Sequence, residues 1–100
     1  QTSGERYSIN AIAMMDIDLF KQVNDRYGHI AGDSVISAFA EAVRANLRHD
    51  DLVARYGGEE FVVVLPDTTH EVAARIMDRV RTACAACRIH NLVEAEFPAA

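Results

Sequence analysis

Leu52-Val53-Ala54-Arg55-Tyr56-Gly57-Gly58-Glu59-Glu60-Phe61-Val62-Val63-Val64-Leu65 decides how this chain is read. Two glycines and two acids separate two apolar runs, the pattern of a β-hairpin. Gly57-Gly58 is expected to supply the positive φ angles of a tight turn. Without side chains there, a ligand can also press against backbone. Glu59 and Glu60 project from that turn, and paired carboxylates on a rigid hairpin suit a hard divalent cation. An ordinary solvated turn has the same local signature, so the rest of the chain must decide.

Upstream, Ser8 to Asp16 (SINAIAMMD) is a mostly apolar run closed by acids and predicts a buried strand. Leu19, Phe20, Val23 and Tyr27 recur at helical steps, and Gly28 is placed to end that helix. A longer helix is expected from about Ala31 or Gly32 to Leu47, with Val35, Ile36, Phe39, Ala40, Val43 and Leu47 as its apolar stripe. Beyond the hairpin, Pro66-Asp67 closes the second strand, and Thr68 or Thr69 can cap a third helix running to about Cys87. Val72, Ile76, Val80 and Ala83 mark its expected buried face. The segment from Leu92 to Phe97 can hold one more strand. The fold class is α+β: a β-α-α-β-β-α core with a central antiparallel hairpin and helices packed on the sheet.

The chain has 100 residues, half of them hydrophobic, enough for one domain with a real core. Its formal charge of −5 argues against a broad nucleic-acid surface, which needs clustered Lys and Arg. No apolar run reaches the length of a membrane span, and no leader pattern opens the chain. Cys84 and Cys87 form a C-x-x-C without a second ligand pair, read as two structural cysteines on a helix. Few cysteines and no span fit a cytoplasmic location, with no direct membrane contact from this segment.

Candidate chemistry gathers before and around the first helix. Asp16 and Asp18 lie two apart where the first strand ends, so both carboxylates point to one side. Asp16 is assigned mainly to a metal and Asp18 mainly to a helix cap. Lys21 in the first turn adds positive charge to a helix start already suited to phosphate. Asn24 can donate and accept together, as a purine edge requires, and Asp33 can accept from adjacent N–H groups. Taken alone, Lys21 reads as a solvated lysine and Asp33 as an early-turn acid favoured by the helix dipole, and their weight comes from their neighbours.

Asp16-x-Asp18-x-Phe20-Lys21-x-x-Asn24-Asp25-x-x-Gly28-His29-x-x-Gly32-Asp33, followed by Arg55-Tyr56-Gly57-Gly58-Glu59-Glu60-Phe61, resembles the GGDEF domain of the diguanylate cyclase family. The hairpin is the GGEEF variant, and the resemblance runs from Ile12 to about Arg88. It implies a cyclase- or palm-like sheet flanked by helices. It also implies condensation of two GTP into cyclic di-GMP with loss of two pyrophosphates, in a homodimer. Carried over by position, Asp16 and Glu59 are the catalytic acids and, with the Ile17 carbonyl, hold Mg2+ or Mn2+. Glu59 is also the candidate base for the 3′-hydroxyl. Phe20 and Lys21 approach the phosphates, Asn24 and Asp33 read guanine, and Gly57 and Gly58 let the nucleotide come close. Arg48-His49-Asp50-Asp51 resembles the family's R-x-x-D inhibitory site for cyclic di-GMP, with Arg79 completing it.

The chain departs from the family pattern in three places. Leu19 stands where many members have Phe or His. The usual opening helix with D-x-L-T-G-L-x-N-R-R is missing, as are the closing S-I-G strand and A-D-x-A-L-Y-x-A-K helix. The expectation is therefore a single partial domain, residues 1–100, from a longer protein that carries a sensor domain. Such a piece is expected to bind GTP poorly and to expose a sheet edge, unless its tail stands in for the lost strand. The alternative function is a non-catalytic module that binds GTP or cyclic di-GMP and signals to a partner.

Overall fold

The computed structural model describes residues 7–18, 20–84 and 87–98. Their order is β1 (Tyr7–Ile17), α1 (Phe20–Tyr27), α2 (His29–Ala45), β2 (Leu52–Gly57), β3 (Glu60–Leu65), α3 (His70–Ala83) and β4 (Cys87–Pro98). The fold is α+β, with all four strands in one antiparallel sheet of order β2-β3-β1-β4. The inner strands are β1 and β3, and the hairpin's other arm, β2, is an edge.

Alternation along β1 sets the two faces of the sheet. Ala11, Ala13, Met15 and Ile17 are buried, as are Phe61, Val63 and Leu65 on β3. Against them pack Ile36, Phe39 and Val43 of α2 and Ala73, Ile76, Met77 and Val80 of α3. The Phe39 and Phe61 rings meet at 4.8 Å between centroids and a 51° tilt, a geometry that aromatic quadrupoles favour. On the opposite face Ile12, Met14, Val62 and Val64 are half-buried, and Asp16 and Glu60 lie at the end of that row.

Several boundaries differ from the sequence expectation. Helix α2 begins at His29, directly after Gly28, whose φ of 88° turns the chain between α1 and α2. Helix α3 stops at Ala83, and its buried face is Ala73-Ile76-Met77-Val80, leaving Val72 and Ala83 of the expected face exposed. Thr69 caps it, accepting from Val72 N–H, while Thr68 is buried in another network. Cys84 therefore ends the helix and Cys87 starts β4, so the C-x-x-C joins two elements rather than lying on one helix. Both thiols are free and buried, and burial pushes the Cys87 thiol up to about 11, against thiolate chemistry at neutral pH.

The tail strand is longer than Leu92–Phe97. It pairs with β1 from Ile17↔Cys87 to Tyr7↔Pro98 and forms the sheet edge beside β1. One irregularity interrupts it: Met14 faces Asn91 and Met15 faces Ile89, leaving His90 as an extra, bulged residue. The hairpin has a similar shift, with Arg55 opposite Phe61 and Gly57 opposite Glu60, which leaves Tyr56 extra.

Candidate active site

The hairpin turn docks on the end of β1. Gly58 and Glu59 form the turn itself, and Gly58 alone takes a positive φ, 43°; Gly57 is the last residue of β2. The Arg55 side chain fixes the turn by donating from Nε to the Gly58 carbonyl at 2.8 Å. The Ile17 N–H donates to the Glu59 carbonyl at 3.2 Å, which ties the acidic turn to the Asp16-Ile17 segment. A side chain added at Gly57 or Gly58 would meet nothing within 4 Å, so the surface beside the turn is open.

Asp16 sits directly across the β1–β3 ladder from Glu60, with side chains on one face. His90 reaches the same place from β4, its Nε2 3.3 Å from Glu60 Oε2. One donor atom from each of Asp16, Glu60 and His90 lies within 4.8 Å of the others. Arg88 Nη2 stands 3.6 Å from Asp16 Oδ2, on a mostly exposed side chain. Asp16 Oδ1 is closed off from solvent and has no hydrogen-bond partner. A buried carboxylate oxygen without a donor is costly unless a cation or ligand completes it. The oxygen-rich donor set therefore fits a divalent metal ion. Glu59, the acid assigned from the motif, reaches this site through its backbone, while the acid facing Asp16 is Glu60.

A second orphan lies at the junction of α1 and α2. The Asn24 side chain is pressed against Gly32, where an added Cβ would fall 1.9 Å from Asn24 Oδ1 and 3.3 Å from the Phe20 ring. Glycine at 32 is what lets the two helices and the amide share that space. Asn24 Oδ1 is buried and unpartnered. Phe20 is buried as the first residue of α1, so its ring belongs to the core while its backbone is at the helix start. Asp33 is exposed on α2. Lys21 is exposed and held by Asp25 at 3.1 Å, a solvated i,i+4 pair of little energetic weight. Leu19, directly before α1, lies outside the described residues; Asp18, expected as the cap, is exposed two residues before the helix begins.

The R-x-x-D segment is a closed network. Arg48 holds Asp51 in a fork, Nε at 3.0 and 3.1 Å and Nη2 at 2.8 Å, and the Arg48 N–H donates to Asp51 Oδ2 at 2.7 Å. Arg48 Nη2 also donates to Thr68 Oγ1 at 2.6 Å. Arg44 adds hydrogen bonds to the Asp51 and Arg48 carbonyls. Burial pushes the Asp51 carboxyl up, but the Arg48 hydrogen bonds and charge outweigh it and hold the group below the usual carboxylate range. Beside the pair, Arg48, His49, Asp50, Asp51, Pro66 and Asp67 line a cleft of about 320 Å³. Arg79 is exposed on α3 and donates to the Asn46 carbonyl at 2.8 Å, at the end of α2.

Sequence reasoning thus finds Asp16, Asn24, Arg48 and Asp51 at polar clusters of the fold, but it misses His90, Arg44 and Thr68. The spacing of Arg44, one turn before Arg48, could have suggested its place. His90 is missed because the sequence places the tail strand only from Leu92, whereas β4 begins at Cys87.

A glycine hairpin docked on an acid-ended inner strand, with helices on the opposite face, matches one family across almost the whole chain. Residues 2–97 match the family described as diguanylate cyclase, GGDEF domain, and the chain belongs to that family. It is 49% identical over 79 residues to diguanylate cyclase DgcP of Pseudomonas aeruginosa, covering 79% of this chain and 12% of that protein. It is 45% identical over 80 residues to diguanylate cyclase A of Treponema denticola, covering 80% of this chain and 22% of that protein. Among solved structures, the coiled coil and GGDEF domain of DgcB from Caulobacter crescentus, in complex with c-di-GMP, superimposes with a TM-score of 0.73 at 27% identity. That match covers 90% of this chain and 54% of the other. The chain therefore spans 12–22% of the length of these two curated relatives. No helix among the described residues is long and apolar enough to cross a membrane.

Proposed function

We propose that these residues form the nucleotide-handling core of a diguanylate cyclase, which condenses two GTP into cyclic di-GMP and two pyrophosphates. Each 3′-hydroxyl attacks the α-phosphorus of the other GTP. The new P–O bond forms as the bond to pyrophosphate breaks, and the hydroxyl proton passes to Glu59. Two half-sites are required, since each aligns one hydroxyl with a phosphate bound on the other subunit, and a homodimer supplies them. The observation that carries this reading is the docking of the acidic turn on β1, with Asp16 Oδ1 buried and unpartnered beside it.

Asp16, Glu59 and the Ile17 carbonyl would hold the ion. Mg2+ or Mn2+, when bound, neutralises phosphate charge and favours the ionised hydroxyl. The chain's own groups do the rest. Asn24 and Asp33 read the guanine edge, Asn24 with an amide oxygen that has no internal partner. Lys21 and the backbone at Phe20 meet phosphate, with Lys21 released from an exposed pair that costs little to break. Gly57 and Gly58 leave the approach clear.

Product feedback at Arg48, Asp51 and Arg79 belongs to the same reading. Arg48 would exchange part of its fork on Asp51 for a phosphate or a guanine face of cyclic di-GMP beside the cleft. An attached sensor domain in the whole protein would govern the encounter of two such domains.

The test is magnesium-dependent formation of cyclic di-GMP from GTP by the full-length protein, followed by chromatography and mass. Glu59→Gln is expected to remove the activity with folding retained. GTP binding without any product in the unaltered protein would leave the non-catalytic module as the function. Product formation that Glu59→Gln does not impair would overturn the assigned chemistry.

A further inference from the structure

The third strand to reach Asp16 brings a nitrogen donor. We propose that Glu60 and His90 join Asp16 as ligands of its divalent ion, making the site a mixed nitrogen–oxygen one that prefers a first-row divalent transition ion to Mg2+. The proposal deepens the cyclase reading by naming the ion class, and rests on it only for the role of that ion in turnover.

Three observations carry it. Asp16 and Glu60 are fixed opposite each other by the β1–β3 ladder, so their carboxylates converge without any loop to order. His90 is the one extra residue of β4, two residues along from Arg88, the strand partner of Asp16, and its Nε2 lies 3.3 Å from Glu60 Oε2. The donor atoms of all three lie within 4.8 Å of one another, and Asp16 Oδ1 is buried with no partner. Two ligands on one ion at bond lengths of about 2.1 Å can be at most about 4.2 Å apart. Side-chain rotation of roughly half an ångström therefore closes the set. Arg88 is the cation now nearest Asp16, on a side chain free to swing away.

Ligand chemistry sets the preference. Mg2+ takes oxygen ligands and keeps its water, whereas imidazole suits the transition ions. A plain Glu60–His90 ion pair predicts no change in Co2+ affinity or spectrum when His90 is replaced, which makes the two accounts separable.

Co2+ and Mg2+ binding to the full-length protein is measured without nucleotide, by calorimetry and, for Co2+, by visible absorption. The unaltered protein should bind Co2+ more tightly than Mg2+, with a spectrum showing a nitrogen ligand. Since outer-shell partners alone change metal affinity about 10–100-fold, loss of a direct ligand in His90→Ala should weaken Co2+ at least about tenfold. Mg2+ affinity should hardly move. His90→Gln serves as a second variant, and circular dichroism reports folding of both. Unchanged Co2+ affinity and spectrum in a folded His90 variant would overturn the proposal, as would equal binding of the two ions by the unaltered protein. Failure of GTP turnover would count against the cyclase reading alone, because binding is read without substrate.

Discussion

Two polar clusters of this molecule handle burial in opposite ways. Around Arg48 and Asp51 every buried group has found a partner, and the network straps the α2–β2 loop to the turn before α3. Around Asp16 and Asn24 two buried oxygens have none. A satisfied network stabilises, whereas an unsatisfied one costs stability until something binds. The first cluster therefore supports the fold, and the second is where a ligand gains most by arriving.

The sharpest test of this contrast is Asp16→Asn. If Asp16 holds the metal as proposed, this change should lower cyclic di-GMP formation by more than about 100-fold, since loss of a metal ligand removes several kcal/mol of charge stabilisation. Thermal unfolding of the same variant should show little loss of stability, because the buried Oδ1 has no partner and Oδ2 faces only the exposed Arg88 side chain at 3.6 Å. A clear drop in Tm would break the contrast.

Arg48→Met should do the reverse to the fold. Leaving the Asp51 carboxylate buried without its fork costs about 2–3 kcal/mol in urea unfolding. The pH dependence follows from the same pair. Asp51 titrates below its unfolded value, so its contribution is complete above the ordinary carboxylate range, near 4, and fades as pH falls through the lower folded value. Acid melting curves should show that loss in the unaltered protein and a flatter profile in Arg48→Met.

Gly32→Ala probes the Asn24 orphan. The new methyl would fall 1.9 Å from Oδ1, so overpacking should outweigh the better helix former, for a net cost of about 1–2 kcal/mol. GTP affinity should drop with it as the amide is displaced. Thr69→Ala, a cap remote from both clusters, should cost only about 0.5–1 kcal/mol and leave nucleotide binding unchanged.

The supporting cluster and the elements around it were largely legible from residue order. Apolar runs, the Gly57-Gly58 hairpin signal and the stripe through Ile36, Phe39 and Val43 fixed β1, the hairpin and α2 to within a few residues. On α3, Ile76 and Val80 are buried as the spacing predicts, but Val72 and Ala73 are both apolar and only packing chooses Ala73. The site was less legible. A motif places Glu59 and Glu60 side by side, but ladder register decides that Glu60 faces Asp16. Arg88, His90, Asn91, Glu94 and Glu96 hide β4 behind polar residues, since that strand is an edge with little surface to bury. With the polar start of β4 unread as strand, nothing in the sequence places His90 beside Glu60.

The long pairing of β1 with β4 sets the order in which this sheet can assemble. Tyr7 lies opposite Pro98, while the β2–β3 hairpin needs only a two-residue reversal. Closing a loop that spans nearly the whole chain costs entropy before any contact rewards it, so refolding should be limited by docking of the tail. On the ribosome the first strand is made early, and one of its edges stays bare until almost the last of these residues has emerged. During that interval a neighbouring nascent chain can offer the same strand in its place.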